Sequence, residues 1–255
     1  MNLTPVRTPA WRRIMSFCLV LVLLAALVPA SVLKVSAATP KKLFLQPHGT
    51  WKQNNERYAA YFFGNGEKWV SMSDSDGNGT YEVDVPSGYT KVIFCRMNGS
   101  ASANNWDNKW DQTDDLVIPT DGSDCYSIKD WKWYSSFEKG TTLYFKPNST
   151  WKSNSARFAA YFFVGDNYKW VSLTDSDNDG YYEVEVPGDG YTTVIFVRMK
   201  GSSSTNDWNN KDSNQTSDLL ASTAGSNNCY EITSGNSGKW TVFSPTPVYS
   251  TLKVM

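Results

Sequence analysis

The sequence predicts an all-β fold, made of two tandem antiparallel β-sandwich domains of the immunoglobulin-like type behind a cleaved signal peptide. Short segments rich in Val, Ile, Phe, Tyr and Thr alternate with Gly, Pro, Asn, Asp and Ser, which is the pattern of strands and turns. After residue 37 no segment shows a helical period, and about seven short strands per hundred residues are typical of a sandwich. One ordered set of segments occurs twice, so we expect two copies of one domain.

An export signal is expected over residues 1–37. Three arginines precede an apolar core, residues 14–28, which is short for a membrane span, and Val35-Ser36-Ala37 supplies small residues at a cleavage point. An uncleaved anchor is the alternative. The expected mature protein has no membrane span and is secreted into the extracellular space, with association to the cell surface left open.

Removal of that segment changes the charge of the chain. It leaves 20 of the 24 basic residues against 25 acidic ones, a net charge of about −5. Nucleic-acid binding requires a concentrated basic face, so no nucleic-acid partner is expected. The expected copies are residues 41–138, called copy 1, and residues 141–244, called copy 2. Each is long enough for its own core, and residues 245–255 are expected to form an irregular tail.

An aromatic hairpin is the most clearly repeated segment. Arg57–Phe63 followed by Lys68–Ser71 recurs as Arg157–Phe163 followed by Lys169–Ser172. In the second strand, Val70 and Met72 alternate with Trp69, so we expect the aliphatic pair to face the core and the indole to face outward.

The same parity divides the first hairpin strand. Tyr58, Ala60 and Phe62 are expected in the core, and Tyr61 and Phe63 on the side of Trp69. The alternative is that these outward rings pack under a loop or against the other copy, because large aromatic side chains are mostly buried.

Outward aromatic rings and planar polar side chains are the groups that a sugar ligand requires. One face of a pyranose carries C–H bonds that lie flat on an aromatic ring, and its hydroxyls need partners such as Asn, Gln, Arg or a carboxylate. The candidate carbohydrate-binding rings are Tyr61, Phe63, Trp69 and Trp106 in copy 1 and Tyr161, Phe163, Trp170 and Trp208 in copy 2.

The loop from Asn98 to Thr113 is longer than a plain hairpin turn, and such loops often carry function. It holds Trp106, which either contacts ligand or plugs the edge of the sandwich. Arg96 and Arg198 are further candidates. Each arginine either donates to sugar hydroxyls or pairs with an acidic side chain across the sheet.

No cofactor is expected, with calcium as the open alternative. Asp74, Asp76 and Asn78, and likewise Asp175, Asp177 and Asp179, alternate like the ligands of a calcium loop. The glutamate that such a loop carries at its twelfth position is a valine in both copies, and a tight turn explains the same residues. The thiols of Cys95, Cys125 and Cys229 are expected to be buried, with a Cys95–Cys125 bridge as the alternative.

Four motifs recur in the same order in both copies. They are an opening strand such as Leu143-Tyr144-Phe145, the Ala-Tyr-aromatic hairpin followed by Trp, a Val-Ile-Phe strand, and a Gln-Thr-x-Asp-Leu run. In this order the repeat resembles the starch-binding domains of carbohydrate-binding module family 26, and the related family 25, over nearly all of residues 41–244. The resemblance implies an α-glucan site built on Tyr61 and Trp69, and on Tyr161 and Trp170, with Gln112 and Gln215 as supporting candidates.

The sequence therefore predicts a non-catalytic starch-binding protein with two sites. Glycoside hydrolysis needs two carboxylates positioned in a cleft, and the acidic residues here lie in turns or alternate along strands. The expected ligands are starch, amylopectin and malto-oligosaccharides, and an amylase acting on the same substrate is an open partner. The alternative is a surface adhesin or assembly module whose aromatic face binds a protein.

Overall fold

The structure is a computed structural model that describes residues 41–245. The expected export signal and all of the expected tail beyond residue 245 lie outside the described residues. Within the described range, no helix is long and apolar enough to cross a membrane.

The described residues form eighteen strands with very little helix, which confirms the all-β class. In copy 1 the strands are β1 (Lys42–Gln46), β2 (Arg57–Phe63), β3 (Glu67–Ser71), β4 (Tyr81–Asp84), β5 (Lys91–Met97), β6 (Lys109–Gln112), β7 (Leu116–Val117), β8 (Cys125–Ser127) and β9 (Lys132–Tyr134). In copy 2 they are β10 (Thr142–Lys146), β11 (Arg157–Val164), β12 (Asn167–Ser172), β13 (Tyr182–Glu185), β14 (Thr193–Met199), β15 (Lys211–Gln215), β16 (Leu219–Leu220), β17 (Cys229–Ser234) and β18 (Ser237–Thr241). The helical segments are the 3-10 turns Gly49–Lys52, Trp106–Asn108 and Trp208–Asn210 and a single α-turn, α1 (Ala221–Ala224).

The two copies share one strand order. In copy 1 a four-stranded sheet runs β4-β1-β8-β9 and a larger sheet runs β3-β2-β5-β6, with β7 also paired to β5. In copy 2 the corresponding orders are β13-β10-β17-β18 and β12-β11-β14-β15, with β16 paired to β14. Pairing is antiparallel except between β1 and β8 and between β10 and β17, where it is parallel. The expectation of antiparallel pairing throughout was wrong for these two pairings. The chain comes back from the opposite sheet before β8 and before β17, and each of these strands then runs in the same direction as its neighbour, β1 or β10.

The main core of copy 1 takes side chains from both of its sheets. Leu43 and Leu45 of β1 lie in one buried cluster with Tyr58, Ala60 and Phe62 of β2. Met72 belongs to the same cluster and the partly buried Val70 packs against it, as strand parity predicted. The corresponding cluster of copy 2 also contains Phe44, Cys125 and Phe137 from copy 1, so apolar packing continues across the contact between the copies.

A smaller apolar cluster lies on the other face of each larger sheet. In copy 1 it contains Tyr61, Ile93 and Met97, with Phe63 and Trp69 packed against it. This confirms that Trp69 shares a face with Tyr61 and Phe63 rather than with the main core.

The cysteines of the described range are buried free thiols, as the sequence favoured, and the alternative Cys95–Cys125 bridge is absent there. Burial raises the pKa of Cys95 to about 12, because removal from water disfavours the thiolate.

Candidate functional site

A cluster of three aromatic rings, Tyr61, Trp69 and Trp106, lies on the outer face of the larger sheet of copy 1. The antiparallel register of β2 and β3 places Tyr61 directly opposite Trp69, with 4.9 Å between the ring centroids. Trp106 reaches over both from its 3-10 turn, 4.7 Å from each, with its plane inclined by 65° to Tyr61 and by 68° to Trp69. The structure therefore joins the hairpin and the long loop in one site.

Copy 2 repeats this cluster with Tyr161, Trp170 and Trp208. The centroid of Tyr161 lies 4.8 Å from that of Trp170 and 5.0 Å from that of Trp208. The two indoles are 4.8 Å apart and again inclined by 68°. We call these two sets the ring site of copy 1 and the ring site of copy 2.

The tryptophans, rather than the tyrosine, offer the accessible surface of the ring site. Trp106 and Trp208 are each 45% exposed, whereas Tyr61 is only 8% exposed because the indoles cover it. The expected outward orientation of Tyr61 is correct for the side of the sheet. However, the Tyr61 ring mainly packs beneath Trp69 and Trp106 and supports them, and we call this supporting layer of rings the floor of the site.

Phe63 and Phe163 continue the floor at the end of the hairpin strand. Phe63 stacks on Tyr61 with centroids 5.8 Å apart, and Phe163 lies 5.4 Å from Tyr161. In copy 1 the Lys91 ammonium covers the Phe63 ring, 5.4 Å from its centroid.

Gln112 and Gln215 lie on the same face as the rings, since Gln112 is directly opposite Cys95, and Gln215 opposite Val197, in the ladder. Each accepts a hydrogen bond from a lysine ammonium. Lys109 donates to Oε1 of Gln112, and Lys211 donates to Oε1 of Gln215 across 2.7 Å.

Sequence reasoning did not include these lysines in the site. Lys109 Nζ lies 5.6 Å from the centroid of the Trp106 ring, so the ammonium stands at the edge of the platform. The available signal was positional, because Lys109 and Lys211 each follow the loop tryptophan by three residues.

Sequence reasoning also missed the arginine that holds each long loop. The Arg57 guanidinium donates to the carbonyl oxygens of Asn98, Ala101 and Ala103, at 3.2, 2.6 and 2.6 Å, and to the side chain of Asn104. In copy 2, Arg157 makes the matching contacts to Ser203, Thr205 and Asn206. Both arginines open the repeated hairpin, which was the signal available in the sequence.

One position near the rings distinguishes the two sites. Copy 1 has Glu67 opposite Phe63, whereas copy 2 has Tyr168, which is 59% exposed and lies 5.3 Å from Tyr161. Burial, together with the Glu67 carboxylate, raises the pKa of Tyr61. Copy 2 thus offers a further ring where copy 1 offers a carboxylate.

Arg96 and Arg198 do not join the ring sites, which corrects the expectation that they could face a sugar. They are 9% and 4% exposed and project from the opposite face of their strand. Arg96 donates to the backbone carbonyls of Trp51 and Gln53, and its guanidinium lies 4.8 Å from the centroid of Trp110. Arg198 makes the other expected contact, an ion pair with Asp212.

The acidic turns are held by their own backbone. Asp74 accepts from the amides of Asn78 and Gly79 at 3.0 and 2.9 Å, and Asp76 accepts from the amide of Asn78 at 3.2 Å. In copy 2 the carboxylates of Asp175, Asp177 and Asp179 lie within 4.8 Å of one another and also accept backbone amides. These turn contacts account for the residue pattern, and calcium binding stays a prediction.

A scan against protein-family models finds no match, and a search of curated proteins finds none. Solved structures similar to the chain include a product complex of the multi-modular, glycogen-degrading pneumococcal virulence factor SpuA, with 12% identity and a TM-score of 0.25. The match covers 80% of this chain but only 22% of the SpuA chain. A streptococcal virulence factor described as binding α-glucan matches 79% of this chain and 97% of its own (11% identity, TM-score 0.24). Streptococcal family 41 carbohydrate-binding modules described as recognising α-glucan match 75% of this chain and 93% of their own (13% identity, TM-score 0.23). At these TM-scores the likeness carries no argument about this chain, and membership of family 26 or 25 stays a prediction.

Proposed function

We propose that this chain is a secreted, non-catalytic α-glucan-binding protein with starch as its ligand, in which two β-sandwich modules of the family 26 type each carry one ring site. The observation that carries the proposal is the pair of partly exposed tryptophans inclined by 68° beside a tyrosine of the hairpin, present in both copies. The α-glucan named for the streptococcal neighbours is the same class of ligand, and the proposal rests on the ring sites alone.

The inclination of the indoles favours an α-linked chain. An α-1,4-glucan curves, so successive sugar rings present their C–H faces at an angle to one another. A β-1,4-glucan is a flat ribbon and suits coplanar rings. Two indoles that meet edge to face form an angled platform, and the neighbouring lysine and glutamine supply donors and acceptors for sugar hydroxyls.

The polar groups at the platform edge suit a neutral ligand. Lys109 is already paired with Gln112, and Lys211 with Gln215. Each pair retains free N–H donors and oxygen lone pairs after that contact. A hydroxyl-rich sugar can use both kinds of group without bringing a charge of its own.

Native gel electrophoresis with embedded polysaccharides tests the proposal. We expect amylopectin and pullulan to retard the protein, and dextran and a β-1,4-glucan to leave its mobility unchanged. The double variant Trp106→Ala, Trp208→Ala should lose the retardation, because it removes the exposed loop tryptophan of each site while leaving the tyrosine and the other indole in place.

Trp110→Ala is the matched control. Trp110 is 42% exposed, close to the 45% of Trp106, but it packs on Arg96 on the other side of the sheet. This control should keep full retardation. If no polysaccharide retards the wild-type protein, the proposal is wrong. The alternative hypothesis, an adhesin that binds a protein, would then be the one to test.

A further inference from the structure

A cleft of about 230 Å³ lies between the two copies, beside the ring site of copy 2. Copy 1 lines it with residues of its β8–β9 hairpin, including Ser127, Asp130 and Tyr134. Copy 2 lines it with Phe163, Thr193 and Leu220. Nothing in the ring sites explains this arrangement, which brings polar groups of one copy to an aromatic ring of the other.

Phe163 connects the cleft to the ring site of copy 2. Its ring lies 5.4 Å from Tyr161, which is itself in contact with Trp170 and Trp208. Thr193 is the ladder partner of Phe163, and Leu220 that of Thr193, so all three project from the same face as the rings. The platform therefore continues from the indoles into the cleft without a change of face.

A comparison with copy 1 shows what opens the cleft. The ladder partner of Phe63 is Lys91, whose ammonium covers the ring of Phe63. In copy 2 the ladder partner of Phe163 is Thr193, whose side chain is much shorter than that of lysine. The position that the Lys91 side chain occupies in copy 1 is therefore open in copy 2, where the β8–β9 hairpin of copy 1 lines the other side of the opening.

The wall from copy 1 carries groups that suit a hydroxylated ligand. Asp130 Oδ2 accepts from the Tyr134 hydroxyl at 3.1 Å and from the Ser127 hydroxyl at 3.4 Å. A carboxylate has about four acceptor positions, so these two bonds leave Asp130 able to accept from a ligand. An aromatic ring facing a carboxylate and hydroxyls is the same combination that the ring sites offer to sugar.

We propose that this cleft is an additional subsite, in which one further glucose unit of an α-glucan bound at the ring site of copy 2 contacts Asp130 and Tyr134 of copy 1. The inference rests on the proposed function and extends it, because copy 1 then contributes directly to the site of copy 2. The cleft is smaller than the roughly 300–1,000 Å³ of a typical ligand pocket, which suits a single sugar ring.

The test uses the full chain with Trp106→Ala, so that the ring site of copy 2 is the site that binds. Isothermal titration with maltotriose and with maltoheptaose should show the longer sugar binding about fivefold more tightly, the value of about one hydrogen bond of ordinary strength. Adding Thr193→Lys fills the cleft with the side chain that copy 1 has at this position. It should remove that advantage and leave maltotriose affinity within about twofold.

A second variant and a control complete the design. Asp130→Ala changes an exposed side chain of copy 1, so it tests the cleft even where the buried Thr193 does not tolerate a lysine. It should reduce the advantage of maltoheptaose in the same way. The reciprocal change Lys91→Thr, in the same background, uncovers a ring that does not border the cleft and should leave both affinities unchanged.

Two outcomes would count against the subsite. If maltotriose binds and neither Thr193→Lys nor Asp130→Ala lowers the affinity for maltoheptaose, the cleft is not a subsite and the ring site stands. If the Trp106→Ala protein binds neither sugar, the proposed function fails together with the inference.

Discussion

The arginines at equivalent positions of β5 and β14 show how one residue acquires different partners. Arg96 and Arg198 both donate to the backbone carbonyl of a buried tryptophan, Trp51 or Trp151, that precedes the aromatic hairpin. Beyond this shared contact, Arg96 stacks on an indole, while Arg198 pairs with a carboxylate. The buried guanidinium is satisfied in both copies, which is what burial of a charge requires.

Asp124 makes a residue-scale prediction about pH. Burial raises its pKa to about 6, although hydrogen bonds at 2.8 Å from the amide and the hydroxyl of Ser136 favour the carboxylate. The folded pKa is thus above the unfolded value of about 3.9, so protonation stabilises the fold fully below about pH 4, and this contribution is lost as pH rises through about 6.

We therefore expect Asp124→Asn to match the stability of the wild type near pH 4 and to exceed it at pH 7 by up to about 3 kcal/mol. The asparagine keeps a neutral side chain that can still bond to Ser136. Urea unfolding at the two pH values measures the difference. Parallel stability curves for the two proteins between pH 4 and pH 7 would contradict the assignment.

At the scale of elements, the site depends on a long loop fastened to a hairpin. Asn104 donates to the Ser71 hydroxyl at 3.0 Å, and Asn206 donates to Ser172 at the same distance. Asn105 caps the 3-10 turn that begins with Trp106 by accepting from the Asn108 amide at 2.9 Å. The loop is thereby positioned next to the strand that carries Trp69, which keeps the two indoles at a fixed inclination.

Arg57 is the residue on which this arrangement should depend most. Arg57→Met removes the donors that hold the loop carbonyls and keeps much of the apolar stem. Hydrogen bonds to charged groups contribute about 1.5–3 kcal/mol, so affinity of the copy 1 site for maltotriose should fall at least about tenfold. Titration in a Trp208→Ala background measures this loss, and near-ultraviolet circular dichroism follows the indole pair.

The conservative change Arg57→Lys restores the charge but not the forked geometry. It should recover only part of the affinity that Arg57→Met loses. Full affinity in Arg57→Met would show that the loop holds Trp106 without the guanidinium.

At the scale of the whole molecule, the copies are joined by specific polar contacts as well as by apolar packing. The Asn78 side chain donates to the Asp189 carbonyl at 2.7 Å, and His48 Nδ1 lies 2.9 Å from the Asp166 carboxylate. Phe137, at the end of copy 1, packs edge to face on Phe162 of copy 2 with centroids 6.2 Å apart. The two ring sites therefore belong to one packed body rather than to modules on a flexible linker.

Two sites on one body should produce avidity for a polymer that reaches both. Trp106→Ala or Trp208→Ala alone should weaken binding to immobilised amylopectin by at least about tenfold, since linked sites can exceed either affinity by about 10²–10⁴. Maltotriose cannot bridge the sites, so for this sugar we expect half the stoichiometry with an almost unchanged dissociation constant. Equal losses for polymer and trisaccharide would indicate that the sites act independently.

Much of the fold and part of the site could be predicted from the sequence. The period of two along β2 and β3 was sufficient to separate Tyr58 from Tyr61 and to place Trp69 outside the main core, because side chains of a strand alternate between faces. The same rule did not predict that Arg96 is buried. Alternation shows which residues of a strand share a face, but it does not show which of the two faces is buried in the fold. The loop arginine was missed because its partners are distant in the sequence. The lysine lies only three residues from Gln112, and it was missed because the sequence does not show that the two side chains meet beside Trp106.

The sequence by itself determined the strand class, the duplication and the set of aromatic residues, because these follow from local composition and from a repeated order of segments. Only the tertiary structure decided that Trp69 and Trp106 meet at an angle over Tyr61, since the hairpin and the loop become neighbours through contacts between distant residues. It also decided that the β8–β9 hairpin of copy 1 faces Phe163 of copy 2, because that approach depends on how two complete copies pack.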